Sequence, residues 1–162
     1  MKRRTIIWIA GAVILLALNG LVVQKERLLA RGESVYFEFA PVDPRSLIQG
    51  DYMRLDYEVA RDIDDALEKD DRGDERRGLA VVRLDERGVA HFERLGDETG
   101  EGERPVEWKK KSTRVVVGAD AFHFQESRAD DFHEAEYAEL KVTDSGSTLL
   151  VGLRDKDLEP IE

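Results

Sequence analysis

The feature that most constrains this chain is an uncharged run of nineteen residues, 5–23. As a helix rising about 1.5 Å per residue, the run would be about 28 Å long, enough to cross the hydrocarbon core of a bilayer. Three basic residues, Lys2, Arg3 and Arg4, precede it and favour an N-terminus inside the cell. A cleaved signal peptide is the alternative, but the run is too long for one and lacks a good cleavage site. The run therefore predicts a retained signal-anchor that crosses the membrane once.

This anchor divides the chain into four predicted segments. Residues 1–4 would lie in the cytoplasm, residues 5–23 would span the membrane, and residues 24–33 would form a tether. Residues 34–162 would form one domain on the far side of the membrane from the cytoplasm. A domain of about 130 residues is long enough to bury a core of its own.

The distribution of charge limits the partners of the predicted domain. Residues 1–31 carry six basic residues and one acidic residue, so the rest of the chain carries −15 of a total charge of −10. A domain this acidic is a poor partner for nucleic acid, and anionic lipid should repel it; the expected partners are neutral, cationic or protein surfaces. The sequence has no cysteine, which excludes disulfides, thiol catalysis and thiolate metal sites. No cofactor is predicted.

The stretch of residues 41–57 combines a loop, a turn and an alternating apolar pattern. Pro44 can begin a short helical turn, and Gly50 can adopt the positive φ that reverses the chain. Asp51 then fits a capping role for the amides of the turn. From Tyr52 to position 60 the pattern has a period of two, which predicts a long strand. The apolar face of that strand is Met53, Leu55, Tyr57 and Val59, and Tyr52 lies on the opposite face.

Two motifs in the chain resemble one known family. The pattern Gly50-Asp51-Tyr52-x-x-Leu55-x-Tyr57, with Pro44 upstream, resembles the signature of the GDYXXLXY family of membrane-anchored bacterial proteins. The segment 122–126, Phe-His-Phe-Gln-Glu, resembles a second family segment, although Ser127 stands where that family usually has glycine. The resemblance covers roughly residues 34–153 and implies a location and a topology, but no reaction. The positions it marks for function are Gly50, Asp51, Tyr52, Leu55, Tyr57 and Glu126.

The remaining pattern predicts a β-rich domain. Alternating or valine-rich strands are expected at 35–39, 79–84, 89–95, 113–118, 121–124, 138–142 and 149–153, and short helices at 61–74 and 128–138. About seven strands without a β-α-β rhythm indicate an antiparallel sandwich or partly open barrel, with one or two short helices. The three lysines at 109–111 are expected to decorate an exposed edge strand.

No established catalytic arrangement is complete in the sequence. The turn before Gly50 resembles that of bacterial signal peptidases, but their nucleophilic serine would fall on Val42, and no base lysine is found. His123 and Glu126, together with His133 and Glu136, could converge on a metal, although a hydrated surface explains them more simply. A carboxylate and histidine site near Asp51 and Glu126 is the remaining enzymatic option.

These observations favour a membrane-anchored binding or accessory domain over an enzyme. The expected partner is an integral membrane protein, because a short tether keeps the domain near the bilayer. The resemblance adds that members of the family are often encoded beside multi-pass membrane proteins. The alternative is a small hydrolase or ligand-binding enzyme that uses Asp51 and Glu126.

Overall fold

The computed structural model describes residues 2–40, 48–49, 52–124 and 129–161. The described chain contains two α-helices, one 3₁₀ helix and ten strands. The helices are α1 (Lys2–Arg31), α2 (Glu58–Lys69) and the 3₁₀ helix Ala129–Phe132. The strands are β1 (Glu33–Glu38), β2 (Ile48–Gln49), β3 (Tyr52–Arg54), β4 (Arg77–Leu84), β5 (Ala90–Leu95), β6 (Glu103–Lys111), β7 (Arg114–Val117), β8 (Ala121–His123), β9 (Tyr137–Val142) and β10 (Thr148–Arg154).

Helix α1 contains the apolar run and continues directly into the β domain. Its segment Ile6–Ala30 is long and apolar enough to cross a membrane, and a stretch of 18 residues within it has a mean hydropathy of 2.6. The helix extends through most of the predicted tether and ends at Arg31, and β1 begins two residues later. At this junction Leu28 is only 8% exposed, and its carbonyl accepts a 2.8 Å hydrogen bond from the Gly32 amide. The last turn of the helix is therefore packed against the domain.

Two antiparallel sheets form most of the domain. One has the order β1-β9-β10, and the other has the order β5-β4-β6-β7. They meet at a bridge between Tyr36 and Val89, and again where the Glu107 amide donates to the Gly146 carbonyl at 2.9 Å. A third, smaller sheet has the order β2-β3-β8. The predicted fold class, a mainly antiparallel β sandwich or partly open barrel with one or two short helices, is confirmed, although the described chain has ten strands where about seven were expected.

Helix α2 closes over the core between the sheets. Its buried residues Val59, Ala60, Ile63 and Leu67 follow helical spacing and face the interior. They join buried side chains from both larger sheets, such as Leu140 of β9 and Val82 of β4. Burial of this continuous apolar set is the main favourable term that holds the sheets together.

The prediction of one long strand over residues 52–60 is wrong beyond Arg54. β3 ends at Arg54, and α2 begins at Glu58, three residues before the predicted start of a helix. Burial nevertheless follows the predicted alternation, because Met53, Leu55, Tyr57 and Val59 are all buried. Val59 serves both patterns, since it is also the first residue of a stripe that continues at Ile63 and Leu67.

Two further expectations are also wrong. The lysines at 109–111 do not lie on an edge strand, because β6 pairs with β4 on one side and with β7 on the other. Lys110 lies 3.1 Å from Asp64 of α2, and Lys111 forms an ion pair with Asp120. The helix predicted at 128–138 is replaced by the short 3₁₀ helix, and β9 already begins at Tyr137.

Candidate functional site

The two family-like motifs lie side by side in the structure. β3, which carries Tyr52, pairs antiparallel with β8, which begins the segment at 121–126. The register places Tyr52 opposite His123, Met53 opposite Phe122, and Arg54 opposite Ala121. β2 completes this sheet on the other side of β3. We call β2, β3 and β8 the motif sheet.

The second half of the first motif is part of the hydrophobic core. Leu55 and Tyr57 are 2% and 1% exposed, as the alternation predicts. The Leu55 amide donates a 3.1 Å hydrogen bond to the Asp120 carbonyl. The ring of Tyr57 packs against Phe37 at 5.7 Å and is stacked on Phe39 at 5.8 Å between ring centroids. These two motif residues therefore hold the motif sheet to the barrel.

The hydroxyl of Tyr57 is unusual because it is buried without a hydrogen-bond partner in the described part of the chain. Burial raises the pKa of Tyr57 above its ordinary value, and the nearby Asp120 carboxylate raises it further. Both effects disfavour the phenolate. The hydroxyl thus stays neutral at physiological pH, and it contributes polarity to the core without a compensating hydrogen bond.

The outer side of the motif sheet presents polar groups. Tyr52 is half-buried, and its ring centroid lies 5.8 Å from that of His123. His123 and Arg54 are exposed. Tyr57 is buried and Tyr52 is half-buried, but the two do not lie on opposite faces of one strand as predicted, because β3 ends at Arg54.

Aromatic packing supports the motif sheet from beneath. Phe132, at the end of the 3₁₀ helix, is buried and lies 5.2 Å from the rings of both Phe122 and Phe124. The sequence predicts a strand at 121–124 but places Phe132 within a longer helix at 128–138. This cluster orients β8 beside β3.

Several predicted site residues lie outside the described residues, namely Gly50, Asp51 and Glu126, together with Pro44 of the motif loop. Tyr52, which follows Asp51 in sequence, lies on β3. Phe124, two residues before Glu126, directly follows β8, and β3 and β8 are paired. His133 and Glu136 do not share a helix face, because the 3₁₀ helix ends at Phe132. Within the described residues, no group of three or more histidine or acidic side chains is arranged to hold a metal ion.

A second candidate site is a cleft where α1 meets the domain. It has a volume of about 860 Å³ and is lined by the end of α1, the start of β4, the end of β6, part of β7 and the β9–β10 turn. Three basic residues from three different elements line it, namely Lys25, Arg77 and Lys109. Sequence reasoning missed this cleft, since Lys25 falls in the predicted tether and Lys109 on a predicted edge strand. The only sequence signal was the presence of these cations in an otherwise acidic domain.

Comparison with known proteins identifies one family. The model of the family described as GDYXXLXY protein matches residues 14–153, which include both motifs and most of the β domain. No curated protein and no solved structure matches the chain.

Proposed function

The chain belongs to the GDYXXLXY protein family, and we propose that it is a membrane-anchored binding domain that partners an integral membrane protein. In this proposal α1 is a retained signal-anchor in the bacterial inner membrane, with its N-terminus in the cytoplasm. The β domain stands on the periplasmic side and acts as an accessory to its partner.

The observation that carries this proposal is the unbroken junction between α1 and the domain. Leu28 is buried, the Gly32 amide bonds to Leu28, and β1 begins at Glu33. A side chain at position 32 would collide with the Leu28 carbonyl oxygen at 2.7 Å and with Lys141 Cβ at 2.9 Å. Such a tight junction holds the domain against the bilayer, within reach of a protein in the same membrane and out of reach of distant soluble partners.

The motif sheet is the proposed partner surface. Leu55 and Tyr57 have a packing role, since both are buried in the core. Tyr52 is different, because it is half-exposed on a sheet whose outer side also carries the exposed Arg54 and His123. A tyrosine beside a cationic group is a common centre of protein interfaces.

Site-specific photo-crosslinking in native membranes tests this proposal. A photoreactive amino acid is placed at position 52, 54 or 126, and a control is placed at Asp97, which is exposed on the β5–β6 loop. We expect positions 52 and 54 to capture the same integral membrane protein, identified by mass spectrometry, and position 97 not to capture it.

Two substitutions with known burial sharpen this test. Tyr52→Ala should abolish the adduct formed from position 54, while Tyr57→Phe, which changes only a buried hydroxyl, should leave it intact. Adducts with lipid alone from positions 52 and 54, or identical adducts from position 97, would contradict a partner at the motif sheet.

A second candidate function is a small hydrolase or ligand-binding enzyme that uses Asp51 and Glu126. The pairing of β3 with β8 favours it, because β3 begins directly after Asp51 in sequence and β8 ends three residues before Glu126. Asp51→Asn and Glu126→Gln keep the size of each side chain and remove its charge. The enzymatic candidate predicts that these variants lose turnover while crosslinking from position 54 persists. Loss of crosslinking in both variants would instead favour the binding role.

A further inference from the structure

We propose that the cleft between α1 and the β domain binds the anionic headgroup of a phospholipid from the adjacent leaflet. The proposal rests on the membrane anchoring of α1, but it does not depend on a partner protein. The first observation that supports the proposal is the position of the cleft. The residues of α1 that line the cleft are Gln24, Lys25 and Leu28, and they directly follow the uncharged run that ends at Val23. A cleft at this depth lies at the level of the lipid headgroups.

The second observation that supports the proposal is the charge of the cleft. Arg77 of β4 and Lys109 of β6 are register partners, directly opposite each other on neighbouring strands. Like charges in such a pair destabilise a sheet. Neither residue, nor Lys25, forms an ion pair within the described part of the chain. An anion held among the three cations would remove this repulsion.

One carboxylate, Glu107, also lines the cleft. Its Oε1 accepts a 3.2 Å hydrogen bond from Ser147 Oγ, so part of its acceptor capacity is already used. Three cations and one carboxylate leave the lining positive in a domain that is strongly acidic as a whole. This local inversion of charge favours an anionic ligand over a cationic one.

The third support comes from the residues that form the wall of the cleft. Trp108 belongs to this wall and is 2% exposed, with its Nε1 buried. Its register partner is Gly78, where a Cβ would lie 3.2 Å from Nε1. The absence of a side chain at position 78 lets the indole pack closely against the β4 backbone. Thr148, which also lines the cleft, adds a hydroxyl from the β9–β10 hairpin.

The size of the cleft also suits a headgroup. Its volume of about 860 Å³ is in the range of small-molecule sites, roughly 300–1,000 Å³. A free phosphate ion would fill only a small part of it, whereas a glycerophosphate headgroup with its ester linkages would fill more. The adjacent apolar helix would guide the acyl chains back toward the bilayer.

The test uses the full chain in nanodiscs, with Trp108 as the reporter. The sequence contains two tryptophans, Trp8 and Trp108, so Trp8→Phe leaves a single emitting residue in the cleft. Nanodiscs of phosphatidylcholine are prepared with rising fractions of phosphatidylglycerol. A separate arm adds inorganic phosphate to discs of phosphatidylcholine alone. We expect phosphatidylglycerol to shift the Trp108 emission with saturation, and inorganic phosphate to leave it unchanged.

Variants of equal charge separate the cleft from general attraction to the membrane. Arg77→Gln with Lys109→Gln is compared with Lys69→Gln and Lys156→Gln, whose side chains are exposed on α2 and in the C-terminal turn. The fraction of phosphatidylglycerol at half-saturation should rise about ten-fold in the cleft pair and stay constant in the control pair. In phosphatidylcholine alone the cleft pair should be as thermally stable as the parent or more stable, since the like-charge pair is gone. Lys25→Gln, on the helix, provides the same test if the cleft pair fails to fold.

Three results would overturn the proposal. The first is an equal loss of phosphatidylglycerol response in both pairs of variants, which would indicate diffuse surface attraction. The second is a Trp108 emission that does not respond to phosphatidylglycerol. The third is an equal response to inorganic phosphate, which would assign the cleft to a soluble anion.

Discussion

Because the hydroxyl of Tyr57 is buried without a partner in the described part of the chain, we expect two substitutions at this position to have different effects on stability. Tyr57→Ala removes a ring that is 1% exposed and packs against Phe37 and Phe39. Tyr57→Phe keeps this ring and removes only an oxygen that has no hydrogen-bond partner in the described part of the chain. The first substitution should destabilise the domain, and the second should not.

The magnitudes follow from the environment of the side chain. Truncation of a buried aromatic residue to alanine costs about 3–5 kcal/mol of unfolding free energy. The upper half of this range applies here, because each of the two ring contacts adds about 0.5–1.5 kcal/mol beyond area burial. An unpartnered buried polar group costs about 1–3 kcal/mol. Removal of the Tyr57 hydroxyl leaves a small void that offsets part of this gain, so Tyr57→Phe should be neutral or stabilising by about 1 kcal/mol.

Urea unfolding of the full chain in detergent micelles measures both effects. With Trp8→Phe in all variants, Trp108 fluorescence reports only on the β domain. The parent and Tyr57→Phe should also have the same denaturant slope, because both expose nearly the same surface on unfolding. A loss of more than about 1 kcal/mol in Tyr57→Phe would mean that the hydroxyl is hydrogen-bonded after all, and would refute the reasoning.

The other predictions concern a packed glycine and a buried carboxylate. Gly78→Ala should lower the free energy of unfolding by about 1–3 kcal/mol, because its Cβ would lie 2.9 Å from a ring carbon of Trp108. The control Gly73→Ala, whose Cβ would have nothing within 4 Å, should be nearly neutral. The urea midpoints of the two variants test this difference. The pKa of Glu103 is lowered from 4.5 to about 2, chiefly by a hydrogen bond from Arg94. The ionised carboxylate therefore stabilises the fold above pH 4.5, and this contribution is lost as the pH falls toward 2. The urea midpoint of Glu103→Gln should therefore fall less between pH 5 and pH 2 than that of the parent, and parallel curves would contradict this assignment.

The sequence predicted burial better than secondary structure around the first motif. Alternation correctly placed Met53, Leu55, Tyr57 and Val59 in the interior. The same pattern is compatible with a strand that ends early, an extended link and then a helix, because a short apolar series cannot fix the period. The stripe that continues from Val59 at four-residue spacing is what distinguishes the helix, and it was visible in the sequence.

Strand order could not be predicted, since it depends on contacts between distant parts of the chain. The lysines at 109–111 look like edge residues in sequence, but β6 is central because β4 and β7 both pair with it. For the same reason the resemblance identified both motifs without predicting that Tyr52 would lie opposite His123. The cleft combines Lys25, Arg77 and Lys109 from three separate elements, and no local pattern connects them.

The retained anchor and the outward position of the domain are central to both proposals, and cysteine accessibility tests them most directly. The chain has no cysteine, so a single substitution gives a unique label. In intact spheroplasts, a membrane-impermeant maleimide should label Lys156→Cys, and it should label Lys2→Cys only after permeabilisation. Both variants should remain in the membrane fraction at full length. A protected Lys156→Cys, or a shortened chain released into the soluble fraction, would contradict the account.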